Sequence, residues 1–136
     1  MSTTDPVGAF LAGIEGAAVP ENIFCEDVVL DATVPNWQFR LQGAGAVRDE
    51  LGRWYADPGQ FGALRRSGID DGELVEFTLS WQEAGVPHRC HQAHIVRLRE
   101  DRIASDTVFC GGRWPGPLID RMAQAQLERN AAPGSG

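Results

Sequence analysis

The clearest pattern along the chain is strict alternation. From Leu74 to Glu83, the apolar residues Val75, Phe77, Leu79 and Trp81 alternate with Glu76, Thr78 and Ser80. That is the period-two signature of a strand with one greasy face. Ala84-Gly85 reads as a tight turn, and His88 to Leu98 as the next strand. Glu100-Asp101 turns the chain again, and Arg102 to Cys110 returns. Residues 73 to 110 therefore predict a three-stranded antiparallel meander.

Upstream, the period changes to that of helices. Val7, Phe10, Leu11 and Ile14 form one apolar stripe behind Asp5-Pro6, an N-cap residue followed by proline at the first helical position. Gly8, Gly13 and Gly16 weaken this helix, so packing must stabilise it. Pro20 is expected to open a short second helical turn through Phe24. Val28 to Thr33 reads as a strand that Pro35-Asn36 breaks, and Trp37 to Leu41 resumes extended structure. Gly43 to Tyr55 is a helix with Val47, Leu51 and Trp54 on one face, stopped by Asp57-Pro58-Gly59. Phe61 to Ser67 is a further strand, and Asp70-Asp71-Gly72 a turn. Leu118 to Arg129 is an amphipathic helix, and a disordered tail is expected at 131–136. Helices first and a long meander last predict an α+β domain, helices on one face of the sheet, spanning residues 1–130.

Turn length sorts the polar side chains. A two-residue turn at Ala84-Gly85 pairs Trp81 with His88, Leu79 with Cys90, Phe77 with Gln92 and Val75 with His94. Opposed residues share a face, so Cys90, Gln92 and His94 point inward with Val96 and Leu98, while His91, Arg89 and Arg97 point outward. Gln92 and His94 are then polar groups on an apolar wall. Each costs about 1–3 kcal/mol to bury without hydrogen bonds. Either they are satisfied core groups or they line a cavity and touch a ligand. A two-residue turn at Glu100-Asp101 pairs Leu98 with Ile103 and His94 with Thr107, which leaves Asp106 facing out. Only a bulge between Ile103 and Asp106 turns that carboxylate toward His94. An inward Asp106 would fix the imidazole tautomer.

Composition narrows the function classes. The chain has 136 residues, 43% of them hydrophobic, with a net charge of −7. The acidic balance and scattered arginines argue against a nucleic-acid partner. No apolar run is long enough to span a membrane and no charged-then-apolar leader precedes the first helix, so a cytoplasmic protein is expected. Cys25, Cys90 and Cys110 are read as reduced thiols, although their number does not exclude one disulfide. His91 and His94 lie on opposite faces of one strand and cannot share a metal without distortion, so no metal is expected.

The order of elements, the stretch Phe24-Cys-Glu-Asp-Val-Val-Leu-Asp31, the helix after Gln42-Gly43 and above all His94-Ile-Val-Arg-Leu-Arg-Glu-Asp-Arg-Ile103 resemble the SnoaL-like, or nuclear transport factor 2-like, superfamily. The resemblance covers about residues 5 to 128. It implies a cone-shaped curved antiparallel sheet wrapped around N-terminal helices, a cystatin-like α+β barrel around a pocket. The superfamily hosts cyclases, isomerases, dehydratases, epoxide hydrolases and pure binding proteins. His94 falls where many members keep an inward acidic or histidine side chain. Asp31 falls at, or one residue from, the carboxylate base of the ketosteroid isomerases. Asp106 lies two residues before the last-strand acid of SnoaL-like cyclases, a position held here by Val108. Glu76-Phe77-Thr78-Leu79 departs from the Arg-x-Asp of the epoxide hydrolases.

Together these readings point to a cofactor-independent acid–base enzyme, a cyclase, isomerase or dehydratase, acting on an apolar substrate of up to polycyclic size. His94 is the expected acid or base, with Asp31 or Asp106 as its partner. Gln92, Trp37, Trp54, Phe77 and Cys90 are the expected substrate-binding residues. A homodimer through the outer sheet face is expected, because Ala93, Ile95 and Val108 would otherwise leave an apolar patch open. The rival expectation is a non-catalytic binding or dimerisation module of the same fold.

Overall fold

The computed structural model describes residues 5–131. Asp5 caps the first helix, α1 (Pro6–Gly16), its carboxylate accepting the Gly8 N–H at 2.9 Å. Val7, Phe10, Leu11 and Ile14 are all buried, so the apolar stripe sets the packed face. Gly13 is needed for a close approach. A Cβ there would lie 2.7 Å from the Ala18 carbonyl oxygen and 2.8 Å from Pro20.

The second helical turn expected after Pro20 does not form. Residues 21–23 make a turn, and the first strand, β1 (Phe24–Val34), begins where the helix was expected to end. Tertiary burial overrides the proline signal: Phe24 and Cys25 are both buried in the first strand positions. A two-residue turn at Pro35-Asn36 then returns β2 (Trp37–Gln42), which pairs Val34 with Trp37. Helix α2 (Ala44–Trp54) follows Gly43, and β3 (Gly59–Ile69), β4 (Gly72–Glu83), β5 (Val86–Arg99) and β6 (Arg102–Cys110) complete the main sheet. A two-residue β7 (Trp114–Pro115) pairs with β5, and α3 (Gly116–Ala131) closes the chain. The expected tail lies outside the described residues except for Ala131, the last residue of α3.

The meander register agrees with the turn arithmetic. Ala84 and Gly85 both have positive φ, as a two-residue hairpin of matched twist requires, and Glu83 pairs with Val86. Val75 pairs with His94 and Phe77 with Gln92. Glu100 and Asp101 also have positive φ, and Leu98 pairs with Ile103. Then the register slips. Arg97 pairs with Ser105, which leaves Ala104 as an extra residue on β6. That bulge inverts the remainder of the strand. Asp106 and Val108 turn inward, and Phe109 turns out. Val108 is therefore a fully buried core residue and not part of an outer patch.

The sheet runs β2-β1-β6-β5-β4-β3, with β1 and β6 parallel and the other junctions of that path antiparallel. The sheet is curved, mixed and unclosed, and the class is α+β. Its inner face meets α1 and α2 in one core, which includes Phe10, Ile14, Leu30, Leu51, Phe77 and Ile103. Burying each of these side chains favours the fold by about 1.5–3 kcal/mol. Among the described residues, no helix is long and apolar enough to cross a membrane.

Candidate functional site

Among the described residues, the core contains three buried polar side chains besides its apolar residues: Gln92, His94 and Asp106. All three meet. His94 and Asp106 are each 1% exposed, and His94 Nδ1 lies 2.8 and 3.0 Å from the two carboxylate oxygens. The strand bulge at Ala104 makes this contact, because the plain register would put Asp106 on the other face. Nδ1–H donates to the carboxylate, so the tautomer is set by Asp106. Phe77 stacks on the imidazole at 5.4 Å between centroids, and Phe10 meets it edge-on at 5.6 Å. The ring is fixed on both sides.

The other nitrogen, Nε2, lies 3.0 Å from Gln92 Oε1 and 3.3 Å from the Tyr55 hydroxyl oxygen. Tyr55 O–H donates to Gln92 Oε1 at 2.5 Å. Two proton arrangements fit these contacts. If Nε2 carries a proton, Gln92 Oε1 accepts it, and the imidazolium is neutralised by Asp106. If Nε2 is bare, the Tyr55 hydroxyl turns from Gln92 Oε1 and donates its hydrogen bond to Nε2. The two arrangements differ by one proton, carried on His94 Nε2. Burial, and then the Asp106 charge, push the Tyr55 phenol well above its ordinary range. Tyr55 is therefore a neutral hydroxyl, able to donate a hydrogen bond but unsuited to act as a phenolate base.

Tyr55 was absent from the residues picked out of the sequence. Its signal was there: Val47, Leu51 and Tyr55 follow at i, i+4 and i+8, the spacing of one helical face. Trp54 lies at i+3 from Leu51 and Tyr55 at i+4, so both positions fit that face, and Tyr55 stands at the C-cap, one residue beyond the helix.

The cluster ends at a cavity of about 360 Å³. Its apolar walls come from Val34, Pro35, Trp54, Leu79 and Trp81, and its polar groups include Tyr55, Gln92 and the thiols of Cys90 and Cys110. Arg53 and Arg113 stand at its margin, ion-paired with Glu50 and Glu83. Of the expected site residues, Gln92, Trp54 and Cys90 line this cavity. His94 and Asp106 lie one layer behind it. Phe77 is wholly buried against His94 and does not line the cavity. Trp37 is 69% exposed at the open tip of the β1–β2 hairpin, on the face of Phe39 and Leu41 but past the covered core. Asp31 is also placed apart. It pairs with Arg40 and Thr107, on the face opposite to Leu30 and Ala32, which are buried. Strand alternation alone keeps it from His94.

No protein-family profile and no curated protein matches the sequence. Solved structures do match in shape. An NTF2-like protein from Anabaena variabilis superposes with a TM-score of 0.69 at 16% identity, covering 79% of this chain and 84% of that one. The fold is the nuclear transport factor 2-like (NTF2-like) cone. A candidate polyketide cyclase from Pseudomonas putida matches at TM-score 0.61 and 17% identity, over 79% of this chain and 90% of its own. A candidate isomerase from Bacillus subtilis matches at 0.62 and 18%, over 88% and 90%. At such identities the likeness fixes the NTF2-like fold and leaves the chemistry to this chain's own side chains.

Proposed function

We propose that this NTF2-like domain is a small-molecule enzyme that moves protons on an apolar substrate without a cofactor, an isomerase or cyclase in type. One observation carries the reading: a buried Asp106–His94 pair leads through Tyr55 and Gln92 to the inner wall of an apolar cavity. A ligand oxygen set against that wall would take a hydrogen bond from the Gln92 amide. Negative charge developing on that oxygen, as in an enolate, would be stabilised by that fixed dipole. The substrate α-proton would pass to the Tyr55 oxygen as the Tyr55 hydroxyl proton passes to His94 Nε2, leaving Tyr55 neutral and an imidazolium balanced by Asp106. The neutral arginine–glutamate pairs at the margin leave the walls suited to an uncharged ligand. Two other parts of the reading are a cytoplasmic setting, in keeping with three free thiols, and a homodimer through the outer face. There, Leu74 and Phe109 are 41% and 50% exposed beside Ile95 and Ala93.

The test uses 2-tetralone, an apolar bicyclic ketone whose α-protons exchange through an enolate. In D2O the protein should speed deuterium incorporation at the α-carbon, read by NMR. Tyr55→Phe and His94→Gln should each lower that rate by about ten-fold or more, while His91→Gln leaves it unchanged. Tetralone that binds but exchanges no faster than in buffer would reduce the domain to a binding module.

A further inference from the structure

The cavity holds a nucleophile that the acid–base reading does not use. Cys110, at the end of β6, pairs directly with Gln92. Cys90 lies two residues along β5 from Gln92, so the two thiols are diagonal neighbours on the inner face. Both are unoxidised and both line the cavity. They differ in access: Cys90 is 2% exposed, whereas Cys110 is half-buried.

A buried amide donates to the more accessible sulfur. Gln92, only 5% exposed, directs its Nε2–H at Cys110 Sγ from 3.4 Å. The Cys90 thiol lies diagonally across from the same sulfur, and the Gly112 carbonyl oxygen accepts from the Cys110 thiol at 4.0 Å. The ionisable neighbours are Cys90, Tyr55, His94, Arg53 and Arg113, and among the described residues no carboxylate lines the cavity. The thiol pair can shed one proton readily but not two. The neighbouring Cys90 thiol first, then the Gln92 hydrogen bond, set against burial, bring Cys110 down to about 6, and Cys90 in turn is pushed up. Gln92 thus joins this sulfur to the Tyr55–His94 cluster through one amide.

We propose that Cys110 is a covalent capture site for small α,β-unsaturated carbonyl compounds held in the cavity. The walls fit that class, since Trp54, Trp81 and Leu79 offer apolar and aromatic surface for a flat conjugated body. A soft thiolate adds to the β-carbon of such a compound. The sulfur lone pair forms the S–C bond, the C=C pair shifts toward the carbonyl as an enolate, and the α-carbon then takes the proton that the thiol gave up. The product is a thioether, with no leaving group and no oxidant. This site stands independently of the proposed proton chemistry, because it needs the cavity and the thiol pair but no turnover.

N-ethylmaleimide, itself an α,β-unsaturated imide, is the probe, applied to the reduced and desalted full chain. Sites are located by intact mass and peptide mapping. With a value of about 6, Cys110 would be about three-quarters thiolate at pH 6.5, against about one per cent of an ordinary thiol. Its lower basicity reduces the reactivity of each thiolate by about ten-fold. The net expectation is a single adduct at Cys110, formed about five-fold or more faster at pH 6.5 than with N-acetylcysteine. Its rate should level off above about pH 7, where that of the free thiol still climbs. Cys110→Ser should remove the adduct, and Cys25, whose thiol is buried against the Arg99 carbonyl, should stay unlabelled in the folded chain. Labelling of Cys110 no faster than the free thiol, with a rate still rising through pH 8, would overturn the proposal. So would first labelling at Cys25 or Cys90. The wild-type pH profile decides the matter even if Cys110→Ser fails to fold. Tetralone exchange and Cys110 labelling are separate readouts, so either reading can fail alone.

Discussion

Two of the histidine–carboxylate pairs on β5 lie three residues apart and differ chiefly in their surroundings. His94 meets Asp106 at 2.8 Å with both side chains 1% exposed, and His91 meets Glu76 at 2.9 Å with side chains 49% and 43% exposed. Chemistry and distance are matched; solvent is not. At the outer pair, water competes for every hydrogen bond and screens the charge, so the net value is small. At the inner pair each group has lost its water, and the partner is its main compensation. Removing one member of such a pair strands the other in a medium that cannot solvate it. The comparison separates a pair that the fold depends on from one that merely coexists with it. It also shows why only the inner pair can hold a proton in a defined place.

The largest expected effect follows directly. Asp106→Ala should cost about 3–5 kcal/mol, because His94 Nδ1–H is left buried without an acceptor. Asp106→Asn, which keeps an acceptor oxygen, should cost less than half of that. Urea unfolding with unchanged m-values would measure both. A loss below about 1 kcal/mol for Asp106→Ala would mean that water reaches the inner cluster and that the contrast between the two pairs is false.

Half of that contrast was legible in the sequence. The Ala84-Gly85 turn set the β4–β5 register, and with it the inward His94 and the outward His91. The position of Asp106 was not, for a physical reason. The bulge that turns it is centred on Ala104, an unremarkable residue, and the Glu100-Asp101 turn fixes pairing only as far as Ile103. Beyond it, both Val108 and Phe109 are apolar, so alternation cannot say which one enters the core. Burial of Val108 against β1 decides it, through a parallel pairing between strands more than 70 residues apart. The turn after Pro20 failed in the same way, since long-range burial of Phe24 and Cys25 outweighed a local helix signal. Asp31 and Trp37 were carried to the site by resemblance or by residue type, and strand parity and hairpin position place them elsewhere.

Asp5 provides an intermediate case that sharpens the comparison. It is exposed, like the outer pair, yet it accepts a helix N-terminal N–H as well as the Arg66 guanidinium. The Arg66 hydrogen bond first, and the Gly8 N–H second, hold its carboxyl below the ordinary value of 3.8. Asp5→Ala should cost about 1 kcal/mol at neutral pH, most of it the lost cap, since the ion pair is largely screened. A depressed folded value means that this stability is present above the unfolded value and lost as pH falls through the folded one. The difference between wild type and Asp5→Ala should therefore hold from pH 7 to about pH 5 and vanish in strong acid. A difference that persists at pH 2 would show that the carboxylate charge is not the source.

The smallest effect belongs to the outer pair, and its size depends on whether the face is covered. In a single chain, a double-mutant cycle of Glu76→Ala and His91→Ala should give a coupling of about 0.5 kcal/mol or less. That coupling should weaken further in salt. The pair sits beside the patch formed by Leu74, Ile95, Ala93 and Phe109, where a second copy is proposed to bind. Pairing of two such faces would strip water from His91 and Glu76 and move them toward the condition of the inner pair. The coupling should then rise with protein concentration, in step with a dimer mass from sedimentation, and Phe109→Glu should return both to their monomer values. A small coupling at every concentration, with a monomer mass throughout, would leave the outer face to solvent and the contrast at its widest.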